Sequence, residues 1–577
     1  MKMETDFQGD NKKMAVELAD FSIVYKGNKK RFHRLQGLLK GRNVIDDNNK
    51  LKVKNVKFQL TEGEKLGITG VSGGGKSLLI KGMLGMLDPE IWEVQGTCEF
   101  FGKYNFNKGS VDQRRKVLAT EISYIPQDSL NSLNPYMGVL DQLTKEVIHA
   151  RGLSWDEAEK TAIRWLEKMK IYGDKSKLNS LPGAFSGGMR QRVIFAMAMV
   201  KEPRLLIADE PSSALDVINQ LNTVNILKEL MKNQDLTLMY VSHSPGMIGK
   251  ICDKIAIVDD GCLKEYSSVE NFFQKPVSKE GAALLEASKK LTEGTLRKEK
   301  VIILDRGCES VITPDRGQKS VITADQCSNC EIVMELSNIT KIYGKHKVLD
   351  DLDLNLEKAK ALGVVGGSGS GKSTLAQLAV GLQKPTEGTV KLNGRNLPLI
   401  NDKKRNIEEY PVQMIFQNSA KAFNPKFSVG QSMIDTAKRF MVENPNGAIE
   451  KYMKKCHLDQ SLLKRLPSQL SGGQLQRMAI CRAMLSKPKV LVADEIISAL
   501  DITVQLEIME LLQELLDEGH MSLVFITHDL NAVRQIADKT IVLDEGKLVF
   551  YGDTEELWQC ENKAVTKLRQ ASDILAI

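Results

Sequence analysis

The chain has 577 residues, 42% of them hydrophobic, which is enough for several domains with cores of their own. The formal charge is only +7, from 80 basic and 73 acidic residues, so no nucleic-acid partner is expected. Nine scattered cysteines, a start without a signal-peptide core and the absence of any apolar run near the roughly 18–20 residues of a membrane span favour a cytosolic protein.

A repeat with a constant offset organises the predicted elements. Six residues of the first half, Ser186, Gly187, Gly188, Asp209, Glu210 and His243, recur 285 positions later as Ser471, Gly472, Gly473, Asp494, Glu495 and His528. The chain is therefore predicted to contain two copies of one domain. We expect the first copy at 1–287, a linker at 288–331 and the second copy at 332–577.

Each half is predicted to begin with a strand, because residues alternate between apolar and polar over 16–25 and 333–343. The first half then carries an insertion of 22 residues within the basic stretch 26–54. This stretch fits a solvated hairpin, and it also fits a contact with a membrane surface or a partner.

A glycine-rich loop follows in each half. Gly70 to Ser77 and Gly366 to Ser373 fit the pattern G-x-x-x-x-G-K-[ST], each after a strand-like run and before a helical one. Glycines such as Gly75 and Gly371 let backbone N–H groups point at phosphate oxygens. Lys76 and Lys372 are predicted to reach the β- and γ-phosphates, and Ser77 and Ser373 to bind Mg²⁺.

The middle of each half, near 140–180 and 431–466, is predicted to be a helical subdomain. Apolar strands then end in paired carboxylates, Asp209–Glu210 and Asp494–Glu495. The aspartates are predicted to hold Mg²⁺ and the glutamates to orient the attacking water. Alternation of such strands with helical patterns predicts α/β cores with mostly parallel sheets.

With these motifs in place, the segments 185–192 (FSGGMRQR) and 470–477 (LSGGQLQR) resemble the signature sequence of ABC-type ATPases. The resemblance covers nearly all of both halves and implies two P-loop ABC-type nucleotide-binding domains, here called the first and second cassettes. It implies that both cassettes bind and hydrolyse ATP with Mg²⁺.

Further site residues follow from the resemblance alone. Tyr25 and Tyr343 would stack on adenine, and Gln127 and Gln417 would sense Mg²⁺ and a membrane partner. His243 and His528 would contact the γ-phosphate. The family pairs its cassettes head to tail, so the resemblance implies an intramolecular dimer in which Lys76 faces Ser471 and Lys372 faces Ser186. The second half departs from the usual Glu-Pro, with Ile496 in the place of Pro211, which frees the backbone beside Glu495.

The stretches 127–135 and 417–425 are similar to those of the dipeptide, oligopeptide and nickel importers. The resemblance implies a peripheral protein on the cytoplasmic face of the cell membrane. Its partners would be two integral membrane permeases and an extracytoplasmic substrate-binding protein. The alternative is a soluble tandem-cassette ATPase that acts on ribosomes. The linker, with Gly307, Pro314 and Gly317, does not match the charged helical arm expected of that class.

Overall fold

The computed structural model describes the residues that form both repeats. The described ranges are 13–26, 51–127, 129, 132–212, 215–232, 235–293, 331–399, 411–498 and 500–575. Most of the basic insertion and the linker after residue 293 lie outside them. The chain divides into two compact units, one built mainly on Met1–Lys289 and the other mainly on Lys290–Ser498 and Gln505–Ser572.

The first unit contains two sheets. Its strands are β1 (Met14–Tyr25), β2 (Leu51–Thr61), β3 (Lys65–Thr69), β4 (Trp92–Phe100), β5 (Tyr104–Asn105), β6 (Ile122–Ile125), β7 (Leu205–Asp209), β8 (Thr237–Val241), β9 (Lys254–Asp259) and β10 (Cys262–Ser268). An antiparallel sheet has the order β2-β1-β4-β5, and the larger sheet has the order β10-β9-β3-β8-β7-β6. In the larger sheet every pair is parallel except β9 with β10.

Ten helices are described in the first unit. They are α1 (Lys76–Met83), α2 (Val111–Thr120), α3 (Val139–Arg151), α4 (Trp155–Lys168), α5 (Lys175–Leu178), α6 (Gly187–Met199), α7 (Val217–Lys232), α8 (Pro245–Ile251), α9 (Val269–Gln274) and α10 (Lys279–Glu293). Helices α3 to α5 form the predicted helical subdomain. Helix α10 runs across the expected domain boundary at 287.

The second unit repeats this plan. Its strands are β11 (Ile332–Tyr343), β12 (His346–Glu357), β13 (Ala361–Gly366), β14 (Glu387–Leu392), β15 (Arg395–Asn396), β16 (Val412–Ile415), β17 (Val490–Asp494), β18 (Ser522–Ile526), β19 (Lys539–Asp544) and β20 (Lys547–Asp553). The sheet orders are β12-β11-β14-β15 and β16-β17-β18-β13-β19-β20. The predicted α/β class with two cassettes is confirmed.

The helices of the second unit include a second helical subdomain. They are α11 (Lys372–Ala379), α12 (Val429–Arg439), α13 (Pro445–Lys455), α14 (Gly472–Met484), α15 (Ile502–Asp517), α16 (Leu530–Ile536) and α17 (Lys563–Leu575). No helix in the described parts of either unit is long and apolar enough to cross a bilayer.

Burial explains why these segments form strands. In β1, Val16, Leu18 and Ile23 are buried while polar neighbours face outward, with register shifts on the way that mark bulges. In contrast, β7 and β17 are buried along their whole length, as strands of a sheet covered on both faces should be. A two-residue turn at Gly344 joins β11 to β12, so the basic insertion of the first unit takes the place of this turn.

Parallel pairing also sets where the predicted motifs meet. The carboxyl ends of β3, β6, β7 and β8 lie at one edge of the first large sheet. The ends of β13, β16, β17 and β18 lie at the matching edge of the second. In open α/β sheets ligands bind outside this edge.

Candidate functional site

Four loops meet at this edge in the first cassette. Gly70 follows β3, Gln127 follows β6, Glu210 follows β7 and His243 follows β8. The backbone N–H of Glu210 continues the ladder by donating to the carbonyl of Val241 at 3.1 Å. The matching bond in the second cassette joins Glu495 to Ile526 at 2.9 Å. Backbone hydrogen bonds of the sheet thus fix where each glutamate loop begins, independently of the side chains.

The phosphate loops require glycine for a steric reason. Gly70 has φ +139°, and a Cβ atom there would lie 2.0 Å from the carbonyl oxygen of Val258. Gly75 and Gly371 precede the helices α1 and α11 with φ near +100°, a conformation that glycine adopts without strain. With these turns the loop backbone packs against its sheet, and the open side of the loop faces the N-terminus of the following helix.

Each loop lysine is buried under its own loop. Lys76 Nζ donates to the carbonyls of Gly70 at 2.7 Å and Val71 at 3.0 Å. Lys372 Nζ donates to Gly366 at 2.8 Å and Gly367 at 2.9 Å. Burial lowers the pKa of Lys76, while neighbouring carboxylates including Glu210 oppose this shift. Both lysines therefore stand inside the loop that was predicted to hold phosphates.

A serine and an aspartate meet beside each loop. Ser77 donates its hydroxyl to Asp209 Oδ1 at 3.2 Å, and Ser373 lies near enough to Asp494 to lower the pKa of that carboxyl. Hydroxyl and carboxylate oxygens are the hard donors that Mg²⁺ prefers. Asp494 Oδ1 is buried and has no hydrogen-bond partner among the described residues, so it is free to accept a cation. The residues fit Mg²⁺, which when bound would neutralise phosphate charge.

The glutamates share a glutamine partner in the two cassettes but differ in their distance from the histidine. Glu210 accepts from Gln127 Nε2 at 2.7 Å and lies 2.6 Å from His243 Nε2. Glu495 also accepts from its glutamine, Gln417, at 2.7 Å. However, His528 Nδ1 is 3.9 Å from Glu495, and Lys372 Nζ is 3.8 Å away. The first glutamate is thus hydrogen-bonded on both oxygens by the predicted glutamine and histidine.

Environment separates the pKa values of neighbouring carboxyls in the first cassette. Burial raises the pKa of Asp209, partly offset by its bond to Ser77. Burial would also raise the pKa of Glu210, but His243, together with Lys76 and Gln127, outweighs it and holds that pKa below its usual 4.5. In the second cassette burial and the charge of Glu495 raise the pKa of Asp494 to about 6. Oppositely shifted neighbours are typical of acid–base sites.

The backbone at both glutamates is left-handed. Glu210 has φ +50° and Glu495 has φ +48°. A left-handed residue that is not glycine carries strain, and such strain is concentrated at functional sites. The loss of the proline at Ile496 leaves this conformation the same in both cassettes.

The signature residues begin separate helices. Ser186 caps α6 by accepting from the N–H of Met189, and Ser471 caps α14 by accepting from Gln474, both at 3.3 Å. Gln474 bonds back to Ser471, which completes a capping box that Met189 cannot make. Gly187, Gly188, Gly472 and Gly473 form the first turns. Within either cassette, the described contacts between phosphate loop, glutamate and histidine do not include these residues.

The predicted adenine-stacking tyrosines end β1 and β11. The ring of Tyr25 meets Trp92 edge-on, with centroids 5.3 Å apart. Tyr343 is 43% exposed, hydrogen-bonds Gln383 and has Lys341 Nζ 5.1 Å from its ring centroid. Each tyrosine therefore has different neighbours, although both take the same place in the sheet.

Sequence reasoning missed two sets of contacts. Ser129 donates to Gln191 of the signature helix at 3.2 Å, and Ser419 makes the same bond to Gln476. Tyr124 on β6 donates to Asp209 Oδ2 at 3.5 Å. The recurrence of serine two positions after each glutamine was a usable signal for the first set. A tyrosine within an apolar strand gave no signal for the second.

Two phosphate-loop α/β cores with the same edge geometry define a nucleoside-triphosphatase of the P-loop class. The ABC transporter family matches residues 53–213 and 349–498, together more than half of the chain. The chain therefore belongs to the ABC transporter family, with the ATPase cassette present twice, and it binds and hydrolyses ATP.

Known proteins share this tandem arrangement. The peptidoglycan transport ATP-binding protein YejF of Agrobacterium fabrum is 28% identical over 524 residues, which cover 89% of this chain and 91% of that protein. The glutathione import ATP-binding protein GsiA of Salmonella typhimurium is 28% identical over 535 residues, covering 90% and 86%. A chain in the structure of ribosome-bound archaeal Pelota and ABCE1 superposes with a TM-score of 0.55 over 86% of this chain and 76% of that chain; at 19% identity it shows the fold alone.

Proposed function

We propose that this chain is the ATP-hydrolysing subunit of an ABC importer of the dipeptide, oligopeptide and nickel class. The observation that carries the proposal is the pair of glutamine loops, 127–135 and 417–425, which resemble that class and contain Ser129 and Ser419, each bonded to a signature helix. The relatives named for import or transport span nearly the whole chain and agree with this assignment.

At each site the lysine and loop backbone would bind the phosphates of ATP, and the serine and aspartate would hold Mg²⁺. Glu210 and Glu495 are the proposed catalytic bases, oriented by Gln127 and Gln417. His243 is placed to hold Glu210 ionised, because its hydrogen bond is the main opposing influence to burial. Tyr25 and Tyr343 are the proposed contacts to adenine.

The proposed partners are two integral membrane permeases and an extracytoplasmic substrate-binding protein, with this chain bound at the cytoplasmic face of the membrane. Glutathione is a tripeptide, so the names of the relatives favour a small peptide among the cargoes of this class. Selectivity for the cargo would belong to the partners, because the proposed sites of this chain are built for nucleotide.

A cleft in the second cassette suits the permease contact. It lies beside the glutamine loop and is lined by Leu382, Phe416, Ala422, Thr436, Arg439 and Ala483, among others. Its walls include β16, which precedes Gln417, helix α12, and helix α14, which begins at the signature. A partner helix seated here would touch both the loop that holds Glu495 and the helix that begins with Ser471.

The test combines capture with transport. Affinity capture of the chain from native membranes should recover two integral membrane subunits. Recovery of ribosomes in their place would favour the alternative function.

Two variants examine the cleft itself. Lys421→Glu reverses an exposed charge next to Ala422, and Thr436→Trp fills the cleft. Both should abolish peptide uptake while basal ATP hydrolysis persists, because the phosphate contacts lie elsewhere. Lys567→Glu, an exposed charge reversal on α17, is the matched control. Uptake that survives both cleft variants would contradict the proposed docking surface.

A further inference from the structure

The two carboxylates proposed to hold Mg²⁺ differ in their hydrogen-bond partners. In the first cassette both oxygens of Asp209 are engaged, Oδ1 by the hydroxyl of Ser77 at 3.2 Å and Oδ2 by the hydroxyl of Tyr124 at 3.5 Å. Asp209 is fully buried, so these two bonds restrict the rotation of its carboxyl group. In the second cassette Ser373 lies near enough to Asp494 to lower its pKa, but Oδ1 of Asp494 lacks a hydrogen-bond partner among the described residues.

Strand register identifies the residue that makes this difference. Tyr124 pairs with Ile207, two residues before Asp209, across the parallel strands β6 and β7. Met414 pairs with Val492, two residues before Asp494, across β16 and β17. The two positions are equivalent in the fold. A methionine thioether has no hydrogen to donate, so it cannot replace the tyrosine hydroxyl.

A partner that orients a metal ligand changes how well the ligand binds. Groups hydrogen-bonded to ligands fix their geometry, and their loss typically costs about 10–100-fold in metal affinity. Packing does not require the hydroxyl of Tyr124, because the ring packs against the apolar core between the sheets and a phenylalanine would fill the same space. The hydroxyl is thus the part of this side chain that acts on Asp209.

We infer that Tyr124 is a positioning residue that orients Asp209 toward Mg²⁺, so that the first cassette binds the cation of Mg-ATP more tightly than the second. The inference rests on the proposed Mg-ATP sites and adds to them an inequality between cassettes. It concerns cation affinity and requires no difference in the phosphate loops, whose lysines make matching contacts.

The test measures cation binding without turnover. The full-length chain is saturated with a non-hydrolysable ATP analogue and titrated with Mn²⁺, whose free fraction and bound spectrum are followed by electron paramagnetic resonance. Two affinity classes are expected. Tyr124→Phe should weaken the tighter class by about tenfold and merge the two, and Met414→Tyr should tighten the weaker class by a similar factor. Met414 borders the cleft of the second cassette, which leaves room for the larger ring.

Tyr104→Phe is the matched control, because it removes another hydroxyl-to-carboxylate bond of the first cassette, to Glu121 at 2.9 Å. It should leave both classes unchanged. Equal losses in Tyr104→Phe and Tyr124→Phe, or no change in Tyr124→Phe, would overturn the inference. If Tyr124→Phe does not fold, Met414→Tyr provides the test. A weaker class whose affinity does not change in Met414→Tyr would overturn the inference. Absence of analogue-dependent Mn²⁺ binding in the unaltered chain would instead refute the proposed nucleotide sites.

Discussion

The two cassettes place equivalent carboxylates on equivalent strands but surround them differently. In the first, Glu210 is bonded by glutamine and histidine, and Asp209 by serine and tyrosine. In the second, the histidine stands 3.9 Å from Glu495, and Met414 replaces the tyrosine. The backbone at the two glutamates nevertheless agrees within 2° in φ.

The comparison separates what the reaction requires from what differs between the two sites. Residues proposed to touch nucleotide or cation are retained in both cassettes, while the tyrosine beside Asp209 becomes Met414 and the two histidines stand at different distances from their glutamates. Two sites of one chain can therefore share a mechanism and differ in affinity and pH response.

The largest effect is expected from the glutamates. Glu210→Gln combined with Glu495→Gln should lower steady-state phosphate release by about 10²–10⁴-fold, the usual contribution of a general base. Binding of a fluorescent ATP analogue should persist, because the lysines and loops are intact. The single variants give the share of each cassette. Glu202→Gln, a surface glutamate paired with Arg151, serves as the control. Undiminished turnover in the double variant would refute the assignment.

The phosphate loops should respond alike. A Cβ at Gly70 would meet the carbonyl of Val258 at 2.0 Å, and one at Gly366 would meet the carbonyl of Leu543 at 2.3 Å. Both glycine-to-alanine variants create a backbone clash, to which Gly70 adds the strain of φ +139°, and each should cost about 3 kcal/mol or more of nucleotide affinity or cassette stability. Gly73→Ala, with open space around it, should show only the strain of a positive φ, about 1–2 kcal/mol. Calorimetric titration measures the nucleotide affinity, and thermal unfolding measures the cassette stability. Equal costs at Gly70, Gly366 and Gly73 would contradict the argument from the clash.

Asp494 makes a pH-dependent contribution to stability. Its folded-state pKa of about 6 lies above the ordinary 3.8, so the folded state binds the proton more tightly. Stability is consequently lost as the pH rises from about 4 to 6, and the full cost, at most about 3 kcal/mol, is present above pH 6.

Asp494→Asn should remove that cost when Mg²⁺ is chelated. The second cassette should gain up to about 3 kcal/mol at pH 7.5 and roughly half as much at pH 5. Denaturant unfolding at the two pH values measures the gain, with the exposed Asp517→Asn as control. A gain that does not depend on pH would contradict the ionisation argument.

The smallest effect concerns the signature helices. Met189→Gln should complete the capping box of α6 and stabilise the first cassette by about 0.5–1 kcal/mol, and Gln474→Met should cost the second a similar amount. The two variants control each other, because the change in stability must be positive for Met189→Gln and negative for Gln474→Met. Denaturant midpoints at constant slope provide the measurement.

The sequence was sufficient for the parts of the site that are local. The loops at Gly70 and Gly366, and the carboxylates that end β7 and β17, are contiguous motifs whose context is a strand before and a helix after. The helical subdomains were predicted for the same reason and were found. Several motifs would have been weak evidence if each had occurred once. Their recurrence at a constant offset of 285 residues made them strong evidence together.

The remaining contacts depend on tertiary pairing. Tyr124 reaches Asp209 across 85 residues of chain, and Ser129 reaches Gln191 across 62. Whether a histidine stands 2.6 or 3.9 Å from its glutamate depends on small differences in how a loop leaves its strand. Local patterns carry no information on such distances, since they are fixed by the packing of whole elements.

The bond from Ser129 to Gln191, repeated by Ser419 and Gln476, has an evolutionary consequence. In both cassettes this bond joins the two ends of the segment that runs from the glutamine loop to the signature helix. It does so although the segment is five residues shorter in the second cassette. Helices within such a closed segment can lengthen, shorten or change surface while its two anchors stay in register. Each cassette could thus change the surface that it offers to a partner by insertion and deletion, with no mutation at the catalytic edge.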